Sequence, residues 1–150
     1  MIRRRLILLV EDNPDDADLT LRAFEESKTL SEIVVAPDGE QALDYLFATG
    51  SYVNRDPKVM PDIVLLDLNL PKVDGLGVLR RVRADSRTRR LPVVVLTSSN
   101  EETDIIRSYD LGANSFVQKP VDFAQFLNAA RQLGLYWLGL NKPPPATRRT

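Results

Sequence analysis

Ile63-Val64-Leu65-Leu66-Asp67 is a run of four apolar residues closed by a carboxylate, and the same shape recurs three more times. Leu6-Ile7-Leu8-Leu9-Val10 is closed by Glu11 and Asp12, Val93-Val94-Val95-Leu96 by Thr97, and Phe116-Val117-Gln118 by Lys119. Short runs rich in Val, Ile and Leu, bounded by turn residues, predict strands buried on both faces of a parallel sheet. A further strand is predicted at 33–36, stopped by Pro37. In open parallel sheets the ligand site lies beyond the carboxyl ends of the strands. Four separate pieces of chain would then bring carboxylates, a hydroxyl and an ammonium to one place, which is the equipment of a Mg2+-dependent phosphoryl acceptor.

The segments between the runs have helical spacing, and their starts carry capping chemistry. Asn13 before Pro14 predicts a capped helix with proline at its first position, with Ala17, Leu21 and Phe24 on one face. Asp38 with Gln41, Ser99 with Glu102, and Asp122 with Gln125 resemble the capping box, the serine pair being the strict form. Apolar stripes follow at Ala42, Leu43, Leu46 and Phe47, at Ile105, Ile106 and Tyr109, and at Phe123, Phe126, Leu127 and Ala130. Another helix follows Asp74-Gly75, with Val78, Leu79 and Val82 inward. Strand and helix alternate five times, which calls for one parallel sheet covered on both sides. Two segments stand outside the repeat. Residues 50–61 make a longer connection than the usual two to six residues. The last helix is expected to run on through Tyr136, Trp137, Leu138 and Leu140 until Pro143-Pro144-Pro145 ends it. Residues 1–140 are therefore read as one domain and 141–150 as a disordered tail containing proline and arginine.

At 150 residues the chain holds one domain with a full core and leaves no room for an effector domain. No apolar stretch approaches the ~20 residues of a membrane span, and the basic start is not followed by a signal-peptide core, so the reading is cytoplasmic. The chain has no cysteine, which excludes disulfides, thiolate metal sites and cysteine nucleophiles, and no histidine, which removes the commonest general base and transition-metal ligand. Hard oxygen donors remain, and they suit Mg2+. A net charge of -1 argues against direct nucleic-acid binding. The arginines at 80, 81, 83, 87, 89 and 90 are read as a solvated face.

Glu11, Asp12 and Asp67, brought together, would raise one another's pKa unless a cation intervened, and Mg2+ is the natural one. Asp67 is the expected nucleophile, since a carboxylate forms an acyl phosphate without a base to activate it. Lys119 would set a fixed positive charge against the phosphoryl oxygens and Thr97 a hydroxyl. Asn69 would add its backbone carbonyl to the metal.

Val10-Glu11-Asp12-Asn13, Leu66-Asp67-Leu68-Asn69-Leu70-Pro71 with Asp74-Gly75, Leu96-Thr97-Ser98-Ser99 and Lys119-Pro120 closely resemble the receiver domains of two-component response regulators. The resemblance covers residues 5–134, and the steps of 30 from Asp67 to Thr97 and 22 from Thr97 to Lys119 fit it. It implies the flavodoxin-like fold, five strands in the order 2-1-3-4-5, and a partner histidine kinase as phosphoryl donor to Asp67. It further implies a switch in which Thr97 is drawn in and the ring of Phe116 follows, changing the surface of the fourth helix, fifth strand and fifth helix. A cis Lys119-Pro120 peptide is implied as well. The 55 residues from Asp12 to Asp67 exceed the usual spacing by about a dozen, owing to 50–61. That and the apolar end at Tyr136, Trp137 and Leu138 resemble the single-domain regulators that partner phytochromes and dimerise, with these three residues as the expected interface. Packing back on their own domain is the competing reading for them. Two other functions compete. A haloacid-dehalogenase-like aspartyl phosphatase would need an acid two residues after the nucleophile, where this chain has Asn69. A docking module that never takes phosphate would not need the full set of Asp12, Asp67, Thr97 and Lys119. A dinucleotide fold is excluded because no Gly-x-Gly-x-x-Gly follows the first strand.

Overall fold

The computed structural model describes residues 5–26 and 31–145. Five parallel strands, β1 (Arg5–Val10), β2 (Ser31–Ala36), β3 (Ile63–Leu66), β4 (Val93–Thr97) and β5 (Ser115–Gln118), form one sheet in the order 2-1-3-4-5. Helices α1 (Pro14–Glu25), α2 (Gly39–Phe47), α3 (Gly75–Ala84), α4 (Glu102–Asp110) and α5 (Phe123–Gly134) alternate with them. This is the parallel sheet covered on both sides that the pattern calls for, in the flavodoxin-like strand order that the resemblance implies.

Alternation along the central strands sorts the core into two layers. Leu8, Val10, Val64, Leu66, Val93 and Val95 face α2 and α3, where Ala42, Leu43, Leu46, Val78, Leu79 and Val82 close over them. Ile7, Leu9, Ile63, Leu65, Val94 and Leu96 face α1 and α5, against Ala17, Ala23, Phe24, Phe126 and Ala130. Every residue of β3 and β4 is buried. Side chains of this size contribute roughly 1.5 to 3 kcal/mol each when fully buried, so the middle of the sheet fixes the register of the fold. Asn13, Asp38 and Asp122 cap α1, α2 and α5 by accepting from backbone N–H groups two or three residues on, as expected.

Several expectations require correction. The stripe assigned to α4 does not reach the core: Ser108 is its buried residue, while Ile106 and Tyr109 are 57% and 50% exposed. The reason lies in what α4 covers, since β5 is an edge strand without a fully buried residue and offers little surface to bury against. Phe123 is exposed for the same reason of position, at the outer start of α5. Ser99 does not form the predicted box with Glu102; α4 begins after Glu101, and the Ser99 hydroxyl donates instead to Asp104 Oδ2 at 2.6 Å. Arg83 is not part of a solvated face. Its guanidinium donates to the carbonyls of Gly112, Arg89 and Leu91 and to Asn114 Oδ1, at 2.7 to 3.0 Å. The Lys119-Pro120 peptide is trans, no cis bond being present among the described residues.

The long 50–61 connection folds onto α2. Its first residues make a 3-10 turn, Gly50–Tyr52. The Tyr52 ring meets Tyr45 edge-on, and Arg55 donates to the Tyr45 and Leu46 carbonyls at the end of α2. Beyond α5 the chain continues as a π-helical turn, Leu135–Leu140. Leu138 is buried in the α1/α5 layer and Trp137 packs against that layer, whereas Leu135, Tyr136 and Leu140 are exposed. Leu138 is thus a core residue and not an interface residue, because the π-helical turn directs it back beneath α5. The structureless tail expected for 141–150 lies outside the described residues from Ala146 onward.

Candidate functional site

Ladder geometry carries past the last strand residues and sets the site. Asp67 N donates to Val10 O at 3.0 Å and Lys119 N to Thr97 O at 2.7 Å, so residues that follow three strands arrive side by side. Glu11 is held next to them by its own N–H, which donates to Ala36 O. The loop after Asp67 folds back tightly: a Cβ on Gly75 would stand 2.3 Å from the Asp67 carbonyl oxygen, so this position admits only glycine without movement of the loop.

The Asp67 carboxylate is buried and uses its two oxygens differently. Oδ1 accepts from the Thr97 hydroxyl at 2.8 Å and from Asn69 N at 3.2 Å, and Oδ2 accepts from the Lys119 ammonium at 3.0 Å. Lys119 also reaches Glu11 Oε1 at 2.6 Å and Asp16 Oδ2 at 2.9 Å. Glu11, Asp12 and Asp67 each present a carboxylate oxygen within 4.8 Å of the others, Asp12 being the exposed member. Asn69 lies on the loop beside them. Phe116 is half-buried on β5, paired in register with Val95 and packed against the α2/α3 layer. Tyr136 and Trp137 lie away from this cluster and touch each other edge to face.

Burial pushes Glu11 up to about 7, against the hydrogen bond and charge of Lys119, with the Asp67 charge pushing it further up. Lys119 is likewise buried, which alone would lower it, but its bonds to Glu11 and Asp16 and the charges of Glu11 and Asp67 outweigh that and hold it above the ordinary lysine value. Lys119 is therefore a permanent cation, and the carboxylates around it exceed it in number. Clustered carboxylate oxygens with an exposed member at the mouth, in a chain without sulfur or imidazole donors, fit a hard divalent ion.

Glu11, Asp12, Asp67, Thr97 and Lys119 converge as the sequence predicts. Asp16 is the member that sequence reading missed. It stands 103 residues from Lys119 in the chain, and in the sequence it reads as an ordinary acidic residue in the first turn of a helix. A cleft of about 640 Å3, lined by Lys58, Arg89, Arg90 and the prolines at 143–145, lies at the opposite end of the sheet and contains none of these groups.

Residues 7–131 match the response regulator receiver domain family. The probable methanogenesis regulatory protein FilR2 of Methanothrix harundinacea is 42% identical over 139 residues, which are 93% of this chain and 87% of that protein. The structure of the phosphorylated cyanobacterial phytochrome response regulator RcpA superposes with a TM-score of 0.89 at 38% identity, covering 95% of this chain and all of the other. The bacteriophytochrome response regulator AtBRR is 57% identical, with a TM-score of 0.72 over 93% of this chain and 99% of the other.

Proposed function

The chain belongs to the response regulator receiver domain family, and on that premise we propose that Asp67 accepts a phosphoryl group from the phosphohistidine of a partner histidine kinase. An Asp67 Oδ atom attacks phosphorus, the Oδ–P bond forms, and the P–N bond breaks with its electron pair leaving on the imidazole, which takes up a proton. The observation that carries this reading is the Asp67 carboxylate itself, buried at a strand end with Thr97 on one oxygen and Lys119 on the other. These donors are poised for the charge that builds on the transferred group. Glu11, Asp12, Asp67 and the Asn69 carbonyl would hold Mg2+, which supplies charge neutralisation between the carboxylates and the phosphoryl oxygens. The protein acts as a phosphoacceptor and switch rather than as a turnover enzyme. Where an aspartyl phosphatase would place its acid, Asn69 offers a backbone N–H to Asp67.

The partner kinase is of the phytochrome type, a reading supported by the identities of 57% and 38% to phytochrome response regulators. Thr97 and Phe116 form the switch, and its readout is the surface of α4, β5 and α5. The protein pairs with a second copy through the outer face near the end of α5, where Leu135 and Tyr136 are exposed and Trp137 is half-buried. Incubation with Mg2+ and acetyl phosphate should add the mass of one phosphoryl group to the intact chain, and Asp67→Asn should show none. A folded, Mg2+-binding wild type that gains no mass from acetyl phosphate or from a phosphorylated phytochrome kinase would leave the docking-module reading instead.

A further inference from the structure

At the end of the sheet away from Asp67, three pieces of chain enclose the cleft of about 640 Å3: residues of 57–62 ahead of β3, of 86–92 between α3 and β4, and 143–145 beyond the π-helical turn. The first and last belong to the two segments that stand outside the alternation of strand and helix, and here they meet. The charge of the cleft is one-sided. Lys58, Arg89 and Arg90 are exposed in its lining, and none of their side chains has a hydrogen bond or ion pair among the described residues. The remaining cation of the lining, Arg87, is held by Asp85 at 2.8 Å. The acid of the lining is engaged as well, Asp62 accepting from Leu6 N at 2.9 Å and facing Arg5 at 3.9 Å. Three unmatched positive charges in a concave place concentrate a field that draws an anion.

The walls describe the rest of the ligand. Six lining residues are prolines, and Met60 and Leu91 join them. Proline fixes its own φ, so such a wall is formed before anything binds and little ordering entropy is lost. Apolar surface of this kind takes a flat ring, while guanidinium groups fork onto phosphate oxygens. The volume lies within the roughly 300 to 1,000 Å3 of small-molecule sites, the scale of one nucleotide and not of a duplex. A net charge of -1 also gives the chain no broad positive field to hold a polyanion. We propose that this cleft binds a nucleotide, with its phosphates on Lys58, Arg89 and Arg90 and its base against the proline walls. The site is separate from Asp67 and does not depend on what Asp67 accepts.

The test titrates ATP and GTP into the full chain in a chelator and follows the amide shifts by NMR. Without Mg2+ the cluster of Glu11, Asp12 and Asp67 repels phosphates, so binding reports on the cleft. At least one nucleotide should bind with a Kd below about 1 mM, and the largest shifts should fall on the amides of Lys58, Met60, Arg89, Arg90 and Leu91. The bare nucleoside and pyrophosphate should each bind at least about tenfold more weakly, since each offers half of the ligand. Arg89→Ser with Arg90→Ser should weaken binding at least about tenfold, with an otherwise unchanged amide spectrum, because the Arg89 carbonyl that Arg83 holds is kept. Lys58→Ser alone should weaken it about threefold or more, and Arg80→Ser, exposed on α3 outside the cleft, should stay within about twofold of wild type. No binding by either nucleotide, shifts centred on Asp67, pyrophosphate binding as well as the nucleotide, or undiminished binding by the arginine and lysine variants would overturn the proposal. So would tighter binding of a duplex oligonucleotide lost in the same variants, which would assign the cations to nucleic acid. A wild type that binds nucleotide here but takes up no beryllofluoride, a phosphoryl mimic, in Mg2+ would refute the phosphoacceptor reading and leave this one standing.

Discussion

At Lys119 one ammonium is shared by the carboxylates of Glu11, Asp16 and Asp67. Removing it leaves like charges facing one another in a largely dry site, without the cation that compensates them. Lys119→Met in a chelator at pH 8 should therefore lose about 3 kcal/mol of stability. The pH dependence has a definite sign. Carboxylates whose folded pKa lies above the unfolded value of about 4 bind protons more readily when folded, so their penalty is complete above the folded values and fades as pH falls through them. Glu11 is already pushed up to about 7 by burial, even with Lys119 in place. Urea unfolding should show a gap between variant and wild type that is wide at pH 8 and narrower at pH 5. A gap that stays constant or grows on acidification would contradict the shared ammonium.

Among the elements, α3 adds to its apolar packing a polar tie made by one side chain. Arg83 leaves the last turn of α3 and ties the Gly112 carbonyl before β5, the Arg89 and Leu91 carbonyls before β4, and Asn114 Oδ1. Asn114 in turn accepts from Val93 N at 2.8 Å, so the entries of β4 and β5 share one hub. Arg83→Met keeps most of the aliphatic stem but takes the guanidinium from the Gly112, Arg89 and Leu91 carbonyls, and at about 1 to 3 kcal/mol for each buried acceptor, discounted for partial exposure, the loss should be about 3 kcal/mol. Arg83→Lys should recover less than half, because an ammonium cannot reproduce the planar fork. A urea midpoint within experimental error of wild type, at unchanged slope, would show that the hub does not hold the strands. At the end of α2, Arg55 grips two carbonyls of the last turn. Arg55→Ala should leave the global midpoint nearly unchanged while speeding hydrogen exchange in 50–61, since the insertion loses its anchor and the core does not.

On the scale of the whole molecule, what could be read in the sequence follows how local its cause is. The central strands announce themselves because burial on both faces leaves no polar position to interrupt Ile63-Val64-Leu65-Leu66 or Val93-Val94-Val95-Leu96. The caps at Asn13, Asp38 and Asp122 were legible because donor and acceptor lie within three residues. Asp16 with Lys119, and Arg83 with Gly112, were not legible, since partners 103 and 29 residues apart leave no pattern in either segment. The stripe at Ile105, Ile106 and Tyr109 misled for another reason: periodicity marks an apolar face and is silent about what it faces. In this fold that face borders the open edge at β5, with Val121 and Phe123 also exposed nearby. A helix that buries Ser108 and little else has few apolar contacts to lose on opening. Amides of α4 should accordingly exchange by local opening at least about 2 kcal/mol below the free energy of global unfolding, while β1, β3 and β4 exchange only with the whole domain. If α4 is the bistable element of the switch, beryllofluoride with Mg2+ should slow exchange in α4 and β5 more than in α2. Equal protection of α4 and β3 in the free protein would mean that α4 is held by something other than the contacts seen, and would remove it as the element on which phosphorylation acts.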